Sequence, residues 1–368
     1  MSALSRTLTS RWGVILTGAV IGILAPILVR FGNPGNMGVC VACFTRDIAG
    51  ALGLHRAAPL QYLRPEIAGL ILGALAASLL FKEFRPRGGS SPLTRFLLGL
   101  FAAIGALVFL GCPWRAYLRL GGGDWNAVPG ILGLAAGIVL GILCLRRGFS
   151  LGRGHAAPRA LGWVMPALAL GLLTLLVLAP LFGRDAAGLP TGPIFFSSKG
   201  PGSQHAPLWI ALGASLVIGF LGQRSRFCTV GAVRDLILVR DGRMFYGLVA
   251  LVAAAAVTNG ALGQFRPGFA GQPLAHTATL WNFAGMALAG LAFTLAGGCP
   301  GRQLFLSGEG DGDAAVFTLG LLTGAAVAHN FNLASSAAGP APYGPAAVLL
   351  GLAVCALIGL TFREPAAV

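Results

Sequence analysis

Long apolar runs alternate along the whole chain with short breaks rich in Gly, Pro and charge. A helix that spans a bilayer needs about 20 mostly apolar residues. Runs over 13–30, 64–82, 94–111, 127–145 and 160–182, then 207–222, 243–263, 277–297, 314–333 and 343–362, meet that requirement. They predict about ten transmembrane helices. Between them lie 40–54, 113–121, 228–240 and 300–307, each too short or too polar to cross alone. These read as half-helices or re-entrant segments, which exist at membrane depth only when buried in protein or lining a cavity. Arg6 and Arg11 precede the first run, as in a secretory signal, but Arg30 and a Gly/Pro/Asn loop follow it and no small-residue cleavage site does. A retained first helix is expected. The fold class is therefore all-α, integral to the membrane.

The pattern repeats. Cys40-Val-Ala-Cys43-Phe-Thr-Arg46-Asp47 returns as Cys228-Thr-Val-Gly-Ala-Val-Arg234-Asp235, an offset of 188 that carries Arg46 to Arg234 and Asp47 to Asp235. Gly111-Cys112-Pro113-Trp114-Arg115 returns as Gly298-Cys299-Pro300-Gly301-Arg302 at an offset of 187. The same 187 takes Asp124 to Asp311, Gly133 to Gly320 and Gly137 to Gly324. One register held over two motifs and a helix marks a duplicated unit. We divide the chain into a first repeat core (1–158), a linking helix with an external loop (159–206) and a second repeat (207–368). Five crossings per half, an odd number, predict an inverted repeat; in transporters built that way the site lies at the repeat interface, among discontinuous helices.

Composition removes the soluble classes. Apolar residues make up 56% of 368 positions and charged ones 10%, against about 25% charged in ordinary soluble domains. The net charge of +15 does not imply nucleic acid, because the basic residues sit in short loops between apolar runs. With ten crossings, most of the 26 Lys and Arg fall on one side, including Arg6, Arg11, Lys82, Arg85, Arg146, Arg147, Arg224, Arg226 and Arg240. Positive residues collect inside. The expected placement is the cell inner (plasma) membrane, with both termini cytoplasmic and 183–206 outside.

The repeated motifs supply the chemistry. Proline has no N–H and suits the first position of a helix, so Cys112 and Cys299 fall at the caps of new helices. A helix start carries unpaired amides and partial positive charge, which together bind anions and favour thiolate or a strongly hydrogen-bonding thiol. Arg115 and Arg302, within the first turn, add charge, and an intramembrane arginine is a functional candidate by default. Cys40 and Cys228 open the other pair of short segments. Four cysteines and four helix starts around one pseudo-symmetric centre suit a small sulfur-bearing anion. Arg46-Asp47 and Arg234-Asp235 read as structural ion pairs. Cys40-x-x-Cys43 lacks the second C-x-x-C or paired histidines of a zinc site, so no metal is assigned; a dithiol that switches to a disulfide stays open. Glu309-Gly-Asp311-Gly-Asp313 reads as a helix cap rather than a calcium loop. Cys144 and Cys355 lie in apolar runs as packing residues.

Gly-x-Cys-x-x-Cys-Phe-x-Arg-Asp, Arg226-Phe-Cys228-x-x-Gly-Ala-x-Arg-Asp and the doubled Gly-Cys-Pro-x-Arg resemble the YeeE/YedE family of sulfur-compound transporters over nearly the whole chain. The resemblance implies an hourglass-shaped fold with loops dipping to the centre from both faces. It also implies thiosulfate uptake by S–H···S hand-over between central cysteines, transferring to Cys40, Cys112 and Cys299, with Cys228 as repeat mate. The run Asn33-Pro-Gly-Asn-Met-Gly-Val-Cys40-Val-Ala-Cys43-Phe is closer to the YedE branch associated with selenium metabolism. The expected function is uptake of a small sulfur- or selenium-containing anion, not an enzyme activity. The substrate-binding set is Cys40, Cys43, Cys112, Cys228, Cys299, Arg115 and Arg302, the expected partners being the anion and the bilayer. Two other readings stand beside it. One is a membrane thiol oxidoreductase or relay cycling Cys40 and Cys43, although the sequence has no haem, flavin or quinone signature and no cofactor is expected. The other is a scaffold for a cytoplasmic sulfur-carrier protein.

Overall fold

The computed structural model describes residues 7–186, 188 and 191–363; Arg6 and part of the 183–206 loop lie outside the described residues. Ten stretches among them are long and apolar enough to cross a membrane, and the protein is a multi-pass, all-helical membrane protein. The long helices are α1 (Arg11–Arg30), α3 (Pro65–Leu80), α4 (Pro92–Phe109), α6 (Ala127–Arg146), α7 (Arg159–Leu178), α8 (Leu208–Ser225), α10 (Arg243–Ala261), α11 (Thr279–Leu295), α13 (Gly312–Asn330) and α14 (Gly344–Thr361). Four short helices interrupt them: α2 (Val41–Ala51), α5 (Pro113–Gly121), α9 (Thr229–Leu238) and α12 (Pro300–Gly308). The apolar runs and the short segments each sit where the hydropathy pattern puts them, give or take a few terminal residues.

Local chemistry explains the boundaries. Proline opens α3, α4, α5 and α12, where its missing N–H costs nothing. The Asp311 carboxylate accepts from Ala314 N at 3.0 Å and so caps α13, the role expected of that acidic run. Arg87–Gly88 and His155–Ala156 form a two-residue antiparallel pair between loops.

The two halves interlock. Helix α6 of the first half packs along α11 of the second, as α13 of the second packs along α4 of the first; α1 pairs with α10 as α8 pairs with α3. The correspondence holds at single positions. A Cβ on Gly133 would overlap the Phe283 carbonyl, and one on Gly320 the Phe96 carbonyl. Likewise Gly137 abuts Ala287 O, and Gly324 abuts Leu100 O. Residue numbers 133 and 320, 283 and 96, 137 and 324, 287 and 100 are all separated by 187, so exchanging the halves maps each contact onto its mate. Small residues permit this backbone approach, which is how helices associate where lipid removes the hydrophobic drive. The outer helices α7 and α14 depart from the exchange: α7 leans on α3, whereas α14 leans on α4 and α11. Cys144 and Cys355 are buried within α6 and α14, with the Cys144 sulfur against Gly359.

Candidate functional site

Each of the four short helices begins at a cysteine, and the chain approaches each in the same way. The residue two before the cysteine is left-handed every time: Gly38 (φ 50°), Leu110 (φ 64°), Arg226 (φ 57°) and Gly297 (φ 91°). Only glycine adopts that conformation at no cost, so Leu110 and Arg226 are held in it by their surroundings. The kink ends the incoming segment and turns the next residues into the extended N-cap backbone of Cys40, Cys112, Cys228 and Cys299.

The sulfurs then do what a serine or aspartate oxygen does at a helix start. Cys40 Sγ accepts from Cys43 N at 3.4 Å, Cys228 Sγ from Gly231 N at 3.2 Å and Cys299 Sγ from Arg302 N at 3.5 Å. Cys112 Sγ instead lies 3.7 Å from Cys40 Sγ, and Cys299 N donates to Cys228 Sγ at 3.3 Å. The cysteines therefore form two pairs, Cys40 with Cys112 and Cys228 with Cys299, rather than one cluster of four. All are buried, free thiols. The indole of Trp114, fully buried, packs between α5 and α12. It lies against Gly301 and edge-on to Phe227, at 6.2 Å between ring centres.

The arginines differ between halves. Arg115 spends its fork on Asn36 O (2.8 Å), Leu274 O (2.9 Å) and Cys43 Sγ (3.3 Å), so it fixes the approach loop and brings its charge to the sulfur of Cys43, which accompanies the first pair. Arg302 turns to Glu309 at 3.3 Å and leaves its pair. Cys43 has no sulfur mate in the repeat, since position 231 is glycine. A Cβ there would stand 3.2 Å from Met244 Sδ and 3.5 Å from Cys228 Sγ, so a methionine from α10 occupies the equivalent space.

The repeated Arg-Asp pairs close locally. Asp47 receives Arg46 at 2.7 Å and Arg64 at 2.8 Å, all buried; Arg234 meets Asp235 at 2.8 Å, a quarter exposed. Arg64, which motif comparison passes over, also donates to Gln204 O and Pro201 O and ties α2 to the 200s loop. A further polar group escapes sequence reasoning, the Trp114 Nε1–H, buried without a protein partner. Trp114 had one available signal: it is the position where the doubled Gly-Cys-Pro-x-Arg differs most in size. Among the described residues no three His, Cys, Asp or Glu side chains converge as a metal site.

Two cavities open at opposite ends of the α1–α10 pair. One, of about 360 Å³, is lined by Asn36, Gly38, Gln264, Arg266 and Gln272 and ends two residues from Cys40. The other, of about 330 Å³, is lined by Arg11, Arg224, Arg226, Asp235 and Met244. Beside it Glu83 is pushed up by partial burial, yet hydrogen bonds from Arg224 and Gln223 hold its carboxyl below the ordinary carboxylate value.

Residues 224–362, which hold Cys228, Cys299 and Arg302, match the sulphur transport family model. A stretch of 94 residues is 34% identical to the thiosulfate transporter TsuA of Escherichia coli (strain K12), covering 26% of this chain and 26% of that protein. The match thus spans about a quarter of the relative's length. On a ten-span helical membrane fold, the half carrying the second cysteine pair is therefore similar to sulphur transport proteins.

Proposed function

We propose that this chain is a membrane transporter that takes up a small sulfur- or selenium-containing anion of the thiosulfate type through a central cysteine-lined path. The observation that carries the reading is the set of four buried cysteines, each at the N-cap position of a half-helix, arranged as two pairs, with a cavity partly lined by polar residues towards either end. At Cys40, Cys228 and Cys299 the capping sulfur accepts a backbone N–H, which strengthens the donation of its own S–H; the Cys40 S–H now faces Cys112 Sγ and would exchange that contact for one to the anion. The helix start behind each sulfur offsets negative charge. An anion with a terminal sulfur or selenium can exchange one S–H contact for the next without forming a covalent bond. The ion enters by the Asn36–Arg266 cavity, meets Cys40 and Cys112, then Cys228 and Cys299, and leaves by the Arg224–Met244 cavity. Arg115 supplies fixed positive charge beside the first pair and Arg302, half neutralised by Glu309, a weaker field at the second. The exchange-related packing and the odd number of spans per half support an inverted repeat with units 1–158 and 207–368. The skew of arginine supports a cell inner membrane placement with both termini inside.

The test is uptake of labelled thiosulfate and of selenite, each competed with the other, in cells lacking their own systems. Cys112→Ser and Cys299→Ser should abolish uptake of whichever ion is the substrate, because a hydroxyl is a harder donor of different length. Cys144→Ser and Cys355→Ser should leave it intact. Normal uptake in the first two variants would remove the cysteines from the path. The oxidoreductase reading draws on the closeness of Cys43 to Cys40 at one helix start, and Cys43→Ser separates it. Uptake that persists supports transport. Complete loss together with a Cys40–Cys43 disulfide trapped during turnover supports the redox cycle instead.

A further inference from the structure

We propose that Trp114 is both the barrier between the two cysteine pairs and a substrate ligand, its indole N–H donating to the anion as it crosses; this rests on the transport reading above. Three observations converge on it. The ring is fully buried and spans from the helix start that follows Cys112 to the one that follows Cys299. Phe227, next to Cys228, and Phe305 pack around it at 6.2 and 5.9 Å between ring centres, so the gap between the pairs is filled by aromatic carbon.

Second, Nε1–H has no protein partner. Buried donors are almost always paired, and each exception requires an explanation. Tryptophan donates only, so the missing partner is an acceptor, and an anion supplies one. Pro113 and Pro300 occupy the first positions of α5 and α12 and remove one backbone donor from each, which raises the value of a side-chain donor there.

Third, the repeat explains why there is only one such ring. Position 114 maps to 301 under the offset of 187, and the two positions meet in space: a methyl at Gly301 would overlap the indole. Two equivalent tryptophans cannot occupy one place, so one half provides the ring and the other provides the absence of a side chain that receives it.

The experiment uses the purified full chain in proteoliposomes, reading thiosulfate uptake and the leak of iodide, an ion without sulfur. Trp114→Phe keeps a ring and loses the donor. It should raise the half-saturating thiosulfate concentration about tenfold or more, the usual value of a hydrogen bond to a charged group, with no iodide leak. Trp114→Ala removes the ring and should let iodide through about tenfold or more faster than the wild type, as expected when the filled gap opens. Trp114→Leu serves in its place if the alanine variant is not monodisperse. Wild-type saturation in Trp114→Phe overturns the ligand role, and a tight Trp114→Ala or Trp114→Leu overturns the barrier. Wild-type protein that moves neither thiosulfate nor selenite would sink the transport reading. The iodide arm tests the barrier whichever ion the protein carries.

Discussion

The Arg-Asp step of the repeated cysteine motif occurs once in each half, as Arg46-Asp47 and Arg234-Asp235, and the two copies should differ sharply in what they contribute to stability. Asp47 lies in α2, a helix buried along its whole length, and its carboxylate faces Arg46 through contacts of 3.0 and 2.7 Å and Arg64 through 2.8 Å. Both guanidinium groups and the carboxylate are out of reach of solvent. Asp47→Asn therefore leaves two buried cations sharing a neutral amide. Removing one partner from a buried ion pair costs about 3–5 kcal/mol. Asp235, in contrast, lies beyond the buried first turn of α9, and the pair it makes with Arg234 is a quarter exposed on both sides. Water screens that interaction and it contributes about 0–1 kcal/mol, so Asp235→Asn should be nearly neutral. Equilibrium unfolding in mixed detergent micelles, followed by far-ultraviolet circular dichroism, measures both. The expected gap is at least about 2 kcal/mol. Equal losses, or a larger loss at Asp235, would refute the claim that burial rather than motif identity sets the energy.

Topology can be read with an impermeant thiol reagent on intact cells, because the native cysteines are all buried. Ser198→Cys, at an exposed position beside the buried Ser197, should label from outside and exposed Arg153→Cys should not; the reverse pattern inverts the orientation. Glu83 has a lowered carboxyl pKa, so its tie to Arg224 and Gln223 is present above the ordinary value of 4.5 and lost as the pH falls below it. The wild type should lose thermal stability relative to Glu83→Gln over that acid range, and parallel curves would remove Glu83 from the account. Gly137→Val should separate α6 from α11, since a side chain there overlaps Ala287 O, whereas Gly171→Ala on open helix surface should gain about 0.4–1 kcal/mol. Detergent melting curves compare the two, and a stable Gly137→Val would contradict the backbone contact.

Helix placement was legible because the hydropathy period and proline position are local. Pro113 and Pro300 identify Cys112 and Cys299 as caps before any coordinates are needed, and the 187-residue offset aligns the helices that follow. Partner choice was not legible. That Arg115 reaches Asn36 O and Leu274 O depends on two loops, one from each half, meeting over α5. That Arg64 serves Asp47 depends on how the chain folds back after α2. The four cysteines read as one centre because an offset relates residues without measuring the distance between them. In space they pair, Cys40 with Cys112 and Cys228 with Cys299.

The interlocked halves have a consequence for how the protein is made. When the ribosome has finished the first half, α4 and α6 stand in the membrane with Gly99 of α4 and Gly133 and Gly137 of α6 turned towards partners that have not yet been synthesised. Those grooves can be filled by lipid, by an insertase, or by the same half of a second nascent chain. Assembly of the first half is completed only by α11, α13 and α14, so the order of insertion and the order of folding run apart, and a chain stalled between Leu178 and Thr279 has every helix of its first half and none of its finished interface with α11 or α13.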